Sequence, residues 1–332
     1  MPTAEARLYD HVNRLLAGHE KLLSDANRNR LFYRAIKKNV SGQSSVLDIG
    51  SGTGVWAVSA AKIGARRVVA IEQDQLLIGL IKRLARDNGV ADRVEVVEGD
   101  SRQVQLASEF DVVISETIGN LAFDEQIVPI MIDARERFLK PGGVLIPESV
   151  SLVAAPAHLK KRHMKLPAGI PGEYDYFESL LLNHPIGLAD RASLRLLSDP
   201  KELLRADLAT IKSAPALNDL TASWKPRDAN RINCFAVWAD AGLSNETPMT
   251  AIQTTSWSPV IYRVKPFEGE EGELEFKLTL TEDSNYWTAT LSNDHSQEAQ
   301  SYSPAIAGAA LLANTRADID LISHLKRIGL TR

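Results

Sequence analysis

The feature that most constrains the fold is an alternation of short apolar runs with helical patterns between residues 45 and 147. Short runs that are rich in β-branched residues and bounded by Gly, Asp or Ser are typical of strands buried in a parallel sheet. Regular alternation of strand and helix predicts an α/β domain with a doubly wound parallel sheet. The five expected strands contain residues 46–49, 68–71, 94–97, 112–114 and 144–146.

The chain before and at the end of this region carries helix and turn signals. Apolar residues at helical spacing predict helix over 5–39. A Lys-Pro-Gly-Gly sequence at 140–143 predicts a turn between a helix and the fifth strand. We therefore assign residues 1–40 to an N-terminal helical segment that contributes to the pocket, and residues 41–147 to the α/β domain.

A different pattern follows Pro147. Apolar and polar residues alternate at 234–238 and 274–280, which predicts half-buried strands in a β-rich domain over 148–332. Within that domain, helical patterns are expected at 178–204 and near 318–327.

Composition excludes several classes of protein. The chain has 332 residues, with 38 Lys and Arg against 42 Asp and Glu, so its net charge of −4 argues against direct nucleic-acid binding. A single cysteine, Cys234, excludes an intrachain disulfide framework and a cysteine metal cluster, and it fits a reducing compartment. We expect no metal. No signal-peptide or membrane-spanning pattern is expected, so a cytoplasmic location is the default prediction.

A glycine-rich loop follows the first strand and opens a helix. Gly50, Gly52 and Gly54 allow the backbone to approach a ligand closely, and a helix N-terminus favours negative charge. Glu72 ends the second strand, where a carboxylate can accept from both hydroxyls of a ribose. The loop and Glu72 together predict a nucleoside cofactor.

Two carboxylates decide which cofactor is expected. Gly52, Gly54 and Ala57 also satisfy the dinucleotide fingerprint, but Asp48 beside the loop would repel a pyrophosphate and attract an ammonium group. Asp100, after the third strand, can accept from an adenine amino group. This set resembles the S-adenosylmethionine site of class I methyltransferases, and NAD is not expected to bind. The predicted cofactor-binding residues of this region are Asp48, Gly50, Gly52, Glu72, Asp100 and Ser101.

Two glutamates lie on the loop after the fourth strand. Glu116 and Glu125 are nine residues apart, and loops at the carboxyl ends of central strands line the ligand crevice of such sheets. Two carboxylates within an apolar frame would hold a planar guanidinium by charge-assisted hydrogen bonds. The alternative is a pair of solvated loop acids.

This loop resembles the double-E loop of the protein arginine methyltransferases, with the same spacing between the acids. Residues 18–28 (Gly-His-Glu-Lys-Leu-Leu-Ser-Asp-Ala-Asn-Arg) resemble that family's segment His-Glu-Glu-Met-Leu…Asp…Arg. The resemblance runs from about residue 9 to residue 290. It implies catalytic roles for Glu116 and Glu125, a contact of Arg28 with the cofactor's methionyl carboxylate, and a place for His19 in the pocket lining. It also implies a β-barrel after Pro147 and an arginine in a protein or peptide as substrate.

The resemblance further implies a head-to-tail homodimer. A helical arm near 174–204 would dock on the partner, and apolar residues such as Phe177 and Leu180 favour that arrangement. The alternative is packing of these residues within one chain.

Several residues depart from the family pattern. The family's Thr-His-Trp loop is best matched by Thr255-Ser256-Trp257, so a serine stands where a histidine normally pairs with the residue matching Asp25. Trp257 is expected in the wall of the substrate pocket, with barrel core as the alternative. The family's acidic adenine-binding residue falls on Arg102.

These departures leave two alternatives to protein arginine methylation. One is methylation of a small amine or guanidino compound, and the other is a cofactor-binding scaffold that has lost turnover. The two glutamates favour either of the two enzymes, whereas the missing histidine and tyrosine favour the small-molecule methyltransferase or the scaffold. If the protein is an enzyme, Ser256 in place of the histidine predicts a slower one.

Overall fold

The structure is a computed structural model that describes residues 3–107, 109–160, 180–188, 190–244, 248–281 and 285–304. The chain divides into two compact units that are interleaved in sequence. Unit 1 contains Met1–Val153, Leu204–Pro215 and Trp238–Pro259. Unit 2 contains Ala154–Leu203, Ala216–Val237 and Val260–Arg332. The division differs from the predicted boundary at 148, because two later stretches of chain return to unit 1.

The core of unit 1 is a five-stranded parallel sheet, so the predicted doubly wound α/β fold is confirmed. The strands lie in the order β3-β2-β1-β4-β5. Central strand β1 is buried at all five positions, as expected for a strand covered on both faces. The strand bounds are β1 Ser45–Ile49, β2 Arg67–Glu72, β3 Val94–Glu98, β4 Phe110–Ser115 and β5 Leu139–Ile146.

The turn predicted at 140–143 lies inside β5 rather than before it. Leu139 pairs with Phe110, and the next pair joins Val144 to Val112, so four residues of β5 lie opposite a single residue of β4. Gly142 within this bulge has a φ of 77°, which explains the turn-like sequence.

Five helices lie in unit 1 within the described residues. Helix α4 shows why they form, since Asp74 caps its first turn and Leu77, Ile78 and Ile81 are buried on one face. The helix bounds are α1 Ala4–Ser24, α2 Ala26–Asn39, α3 Val55–Ile63, α4 Gln75–Asp87 and α5 Ile127–Arg137.

The helix predicted over 5–39 is broken in two at Asp25. The carboxylate of Asp25 accepts a hydrogen bond from the backbone N–H of Arg28 at 3.0 Å, which caps α2. Aspartate is among the preferred N-cap residues because its side chain satisfies a free N–H of the first turn. The break therefore sets the direction in which α2 leaves α1.

The strands after Ile146 form antiparallel sheets, which confirms the β-rich second half. One sheet has the order β10-β14-β15-β16, and the other has the order β7-β13-β11-β6-β8, with β12 paired to β11 and β9 to β6. Within the described ranges these sheets form no closed barrel, so the expected barrel is a barrel-like arrangement. The bounds are β6 Ser149–Leu159, β7 Ile186–Gly187, β8 Leu194–Leu196, β9 Lys201–Asp207, β10 Leu220–Trp224, β11 Cys234–Gly242, β12 Met249–Thr250, β13 Val260–Arg263, β14 Glu273–Leu280, β15 Asn285–Ser292 and β16 Gln297–Tyr302.

The helical pattern expected at 178–204 is wrong from residue 186 onward. Short strands β7, β8 and β9 and a single 3-10 turn at Arg191–Ser193 occupy that stretch. Pro185 and Pro200 lack the N–H that a helix interior needs, which accounts for the outcome. The first part of the predicted arm, 174–179 with Phe177, lies outside the described residues, as does the helix predicted near 318–327.

Unit 2 has an aromatic core. The rings of Phe235 and Phe276 stack with centroids 4.2 Å apart, and Tyr262 meets Trp287 edge-on at 5.1 Å. In the part of the chain that the structure describes, no helix is both long and apolar enough to cross a membrane.

Candidate active site

The glycine-rich loop between β1 and α3 forms one side of the site. Gly50, Gly52 and Gly54 have φ values of 64°, 56° and 83°, a region that disfavours side chains. A Cβ on Gly52 would lie 2.8 Å from Cε1 of His19, and one on Gly50 would lie 2.9 Å from Cγ2 of Thr117. The loop backbone is therefore approached from both α1 and the segment after β4, and its role as a ligand cradle stays a prediction.

Glu72 holds the neighbouring loops together. Its Oε2 accepts from the N–H of Gly52 at 2.8 Å, and its Oε1 accepts from the N–H groups of Gln73 and Asp74 at 2.8 and 3.0 Å. Each carboxylate oxygen has two acceptor sites, so Glu72 keeps capacity for a ligand hydroxyl.

Asp48 lies beneath the loop and is 1% exposed. Its Oδ2 accepts from the N–H of Ala57 at 3.0 Å, which fixes the first turn of α3. Burial raises the pKa of Asp48 to about 7, and the negative charges of Glu72 and Glu116 add to the effect. A cationic group beside Asp48 would favour its ionised form, as expected for an ammonium partner.

His19 is half-buried between acidic and basic neighbours. Burial lowers the pKa of the imidazole, and the charge of Arg28 lowers it further, against the raising effects of Glu72 and Glu116. The ring that lines the loop is therefore neutral at physiological pH. Helix α1 is also held two turns N-terminal to His19, where Nε2 of His11 lies 2.7 Å from Oδ2 of Asp74.

The loop after β3 carries Asp100 and Ser101, and both have protein partners. Arg102 donates to Asp100 three times, from its backbone N–H at 3.0 Å, from Nε at 3.1 Å and from Nη2 at 2.8 Å. These bonds to Arg102 hold the pKa of Asp100 below its usual range. Ser101 is buried, and its carbonyl accepts from Nη2 of Arg137 at 2.5 Å.

Asp25 joins the helix break to a loop from the second half of the sequence. Its Oδ2 accepts from the N–H of Thr255 and from the N–H and Oγ of Ser256, at 2.8, 2.8 and 2.7 Å. Burial alone would raise the pKa of Asp25, but the hydrogen bonds from Ser256, Arg28 and Thr255 outweigh it and lower the pKa. Ser256 thus keeps a contact with Asp25 where the family pattern has histidine.

Glu116 is bound on both oxygens. Nη2 of Arg28 donates to Oε2 in a buried ion pair, and Nε1 of Trp257 donates to Oε1 at 3.0 Å. Trp257 is 4% exposed and contacts this acid through that bond, and its place in the wall of a substrate pocket stays a prediction. Sequence reasoning missed the pair of Arg28 with Glu116, since no local pattern links residues 88 positions apart.

Arg28 is positioned by aromatic rings and is almost fully buried. Its guanidinium carbon lies 5.7 Å from the ring centroid of Phe32 and 5.6 Å from that of Trp56. Its Nε is buried without a hydrogen-bond partner among the described residues. A buried donor without a partner is unfavourable, and an acceptor such as a ligand carboxylate would satisfy it.

Glu125 differs from Glu116 in being exposed and in having no side-chain hydrogen bond within the described ranges. Desolvation by surrounding protein atoms, with the charges of Glu116 and Asp124, raises the pKa of Glu125 to about 7. The two glutamates therefore interact electrostatically, as their predicted pairing requires.

The side chain of Asp124 packs against the backbone of the loop that carries Glu116 and Glu125. Its Oδ1 accepts from the N–H of Leu121 at 3.2 Å, and a Cβ on Gly119 would lie only 2.0 Å from the same atom. The loop is also joined to the segment that carries Trp257, because Oδ1 of Asn120 accepts from the N–H of Ser258 at 2.9 Å.

These groups fit S-adenosylmethionine. The glycine backbone gives room for a nucleoside, Glu72 suits a ribose, and Asp48 suits an ammonium group. The partnerless Nε of Arg28 suits a carboxylate. Asp100 accepts three hydrogen bonds from Arg102, and its Oδ2 keeps one acceptor site for an adenine amino group.

Comparisons with known proteins give the same assignment. A family profile described as "Ribosomal protein L11 methyltransferase (PrmA)" matches residues 29–150. Protein arginine N-methyltransferase 6 of Danio rerio is 27% identical over 252 residues, which cover 71% of each chain. A probable protein arginine N-methyltransferase 6 of Arabidopsis thaliana is also 27% identical, over 75% of this chain and 60% of that relative. The chain is therefore similar in sequence to protein arginine N-methyltransferases.

The fold agrees with this similarity. A PRMT1 enzyme–prozyme heterotetrameric complex of Trypanosoma brucei, solved with AdoHcy, superposes with a TM-score of 0.71 at 19% identity, over 86% of this chain and 97% of that one. The predicted fold is thereby confirmed, and the relatives named above agree with the prediction of a methyltransferase that uses S-adenosylmethionine. Individual roles of the predicted site residues stay predictions.

Proposed function

We propose that this protein transfers a methyl group from S-adenosylmethionine to a guanidinium nitrogen of arginine in a protein or peptide. One observation carries the proposal: Glu116 and Glu125 interact through their charges on the loop after β4, beside the glycine-rich cradle. Two acids that share one site are suited to a planar cation with several N–H donors.

The donor side of the site uses Asp48, Glu72, Arg28 and His19. When bound, S-adenosylmethionine supplies an electrophilic methyl group on a sulfonium. The chain's part is to orient it, with acceptors at Asp48 and Glu72 and a donor at Nε of Arg28. The neutral ring of His19 covers the loop at Gly52 without adding a second positive charge.

On the acceptor side the two glutamates have different roles. Glu116 is fixed by Arg28 and Trp257 and keeps acceptor sites for a guanidinium N–H, so it orients the substrate. Glu125 has no such partners, and its pKa of about 7 allows it to take up the proton that the attacking nitrogen must lose.

A labelled methyl-donor screen tests the proposal. Arginine-containing peptides, free arginine and polyamines are incubated with the protein, and transfer of label is measured with a Glu125→Gln variant as the inactive control. Label on peptide arginine, lost in the variant, is expected. Label confined to free arginine or polyamines would instead identify a small-molecule methyltransferase, and donor binding without any transfer would identify a scaffold.

A lower rate than that of a histidine-containing relative is also proposed. Ser256 keeps the hydrogen bond to Asp25 but supplies no imidazole. A Ser256→His variant is expected to raise the rate of methyl transfer, and an unchanged rate would reject this explanation.

Homodimer formation and a cytoplasmic location complete the proposal. Exposed apolar side chains on α1 and α4, including Leu16, Leu76 and Leu80, support a partner surface. The location is supported by the lone cysteine, Cys234, which is buried and free. Light scattering at micromolar concentration tests the homodimer, and a monomer would reject it. Cell fractionation tests the cytoplasmic location, and recovery of the protein outside the cytoplasm would reject it.

A further inference from the structure

Arg102 makes a set of contacts that the proposed chemistry does not use. Besides its three bonds to Asp100, it donates from Nη1 to Oε1 of Gln126 at 2.8 Å. Arg102 follows β3, whereas Gln126 immediately follows Glu125 and precedes α5. One guanidinium therefore connects the loop expected at the adenine end of the cofactor site with the loop that carries the second acid.

Gln126 has a strained backbone conformation at the turn into α5, which we call the corner at Gln126. Its φ is 61°, a left-handed conformation that is uncommon for a residue other than glycine. Helix α5 begins directly after it, and no side chain caps the first turn. The bond from Arg102 is the side-chain contact that holds this corner in the described structure.

The loop that carries Arg102 is itself rigidly attached. Arg137, in the last turn of α5, donates to the carbonyls of Ser101 and Val104 at 2.5 and 2.8 Å. The same guanidinium pairs with Asp133 one turn earlier on α5. The loop after β3 is thus hydrogen-bonded to both ends of α5. Arg137 makes the bonds at the C-terminal end, and Arg102 makes the bond at the N-terminal end, next to Glu125.

Glu125 needs an external anchor because it has none of its own. Its carboxylate has no side-chain hydrogen bond within the described ranges, so its position follows from its two neighbours. Asp124 before it accepts from the N–H of Leu121, and Gln126 after it accepts from Arg102. We propose that Arg102 is a positioning residue that fixes Glu125 for methyl transfer by anchoring the corner at Gln126.

This inference rests on the proposed function, and two kinds of measurement separate them. The variants are Arg102→Gln, which removes the guanidinium and its charge, and Arg102→Lys, which keeps the positive charge but removes the planar set of donors. Arg83→Gln is the matched control, since Arg83 also forms a two-bond pair with a carboxylate, Asp87, but on the exposed face of α4. Hydrogen–deuterium exchange of peptides from 118–126 is measured together with kcat and the KM for the methyl donor.

Arg102→Gln is expected to raise exchange in 118–126 and to lower kcat about tenfold, since small displacements of reacting groups reduce rates strongly. The KM for the donor should change only through Asp100, a predicted donor contact that loses its bonds to Arg102, and therefore less than kcat. Arg102→Lys should recover part of the rate, and Arg83→Gln should match the wild type.

A second variant tests the path through the corner. Gln126→Asn shortens the side chain beyond the reach of Arg102, and asparagine tolerates a positive φ. It should lower kcat to the same extent as Arg102→Gln, and the double variant should be no slower than either, because both remove one contact. Gln126→Asn leaves the bonds between Arg102 and Asp100 intact, so the KM for the donor should stay within about twofold in this variant.

The outcomes are distinct. Unchanged exchange and kcat in Arg102→Gln, or a raised KM with unchanged kcat, would overturn the positioning role. Raised exchange in 118–126 in a protein that methylates no arginine would support the anchoring by Arg102 while rejecting the proposed function.

Discussion

Substitution of the two glutamates should separate their roles in stability and in catalysis. Glu116→Gln keeps the shape of the side chain but breaks a buried ion pair with Arg28, whose side chain is only 3% exposed. Both oxygens of Glu116 accept hydrogen bonds, one from the guanidinium of Arg28 and one from the indole N–H of Trp257. In the glutamine variant one of these oxygens becomes an N–H₂ group, which faces a donor and cannot accept. Leaving a buried charge without its partner costs about 3–5 kcal/mol, so unit 1 should lose roughly 3 kcal/mol.

Glu125→Gln should behave differently. A carboxyl whose pKa is raised from 4.5 to about 7 binds its proton more tightly in the folded state. The folded state is therefore disfavoured increasingly as pH rises from 4.5 to about 7, and the full effect persists above that. Gln removes this effect, so above the pKa the variant should equal or slightly exceed the wild type, by at most about 1 kcal/mol because Glu125 is exposed.

The assay is urea unfolding followed by far-ultraviolet circular dichroism, which reports on unit 1 because the five described helices lie there. Methyl transfer is measured on the same samples. Both variants should lose about a hundredfold or more in rate, since each removes a charge from the substrate site. Equal stability losses in the two variants, or none in Glu116→Gln, would refute the asymmetry argued from their hydrogen bonds.

Three further results are expected. Ser256→Ala should lower the stability of unit 1 by about 1–2 kcal/mol in thermal unfolding, because Asp25 loses one buried hydrogen bond; an unchanged midpoint would contradict this. Gly52→Ala should weaken binding of the demethylated donor in calorimetry at least tenfold through strain and the contact with α1, whereas Gly142→Ala, with positive φ but open space, should not. The pH–rate profile should rise through about 7 as Glu125 ionises, and a rise complete near 4.5 would argue against its role as proton acceptor.

Local patterns predicted most of the α/β half, because each of its elements is specified by its own residues. The five strands are short apolar runs, and β1, β2 and β4 are buried along most of their length, as such runs predict. The positions of Gly50, Gly52 and Glu72 beside one another could also be predicted, since the carboxyl ends of parallel strands meet at one edge.

Contacts between residues far apart in the sequence could not be predicted from local patterns. Trp257 and Glu116 are 141 positions apart, and either one alone fits a buried or a solvated role. Aspartate is a preferred N-cap residue, so Asp25 could have indicated the start of a second helix. The apolar residues before and after it both follow helical spacing, however, and this pattern predicted one continuous helix. The strands in 186–204 form by pairing with strands elsewhere in the chain, so the helical spacing of that stretch was misleading.

The hydrogen bonds of Asp25 have a consequence for synthesis of the protein. Unit 1 is complete only when Trp238–Pro259 has been added, and Asp25 and Glu116 receive Ser256 and Trp257 only then. A nascent chain that has emerged only through the parallel sheet therefore carries a buried carboxylate without its donors. We expect ribosome-bound chains that end before residue 238 to bind the methyl donor poorly, and binding to appear once residues through 259 are free to fold back.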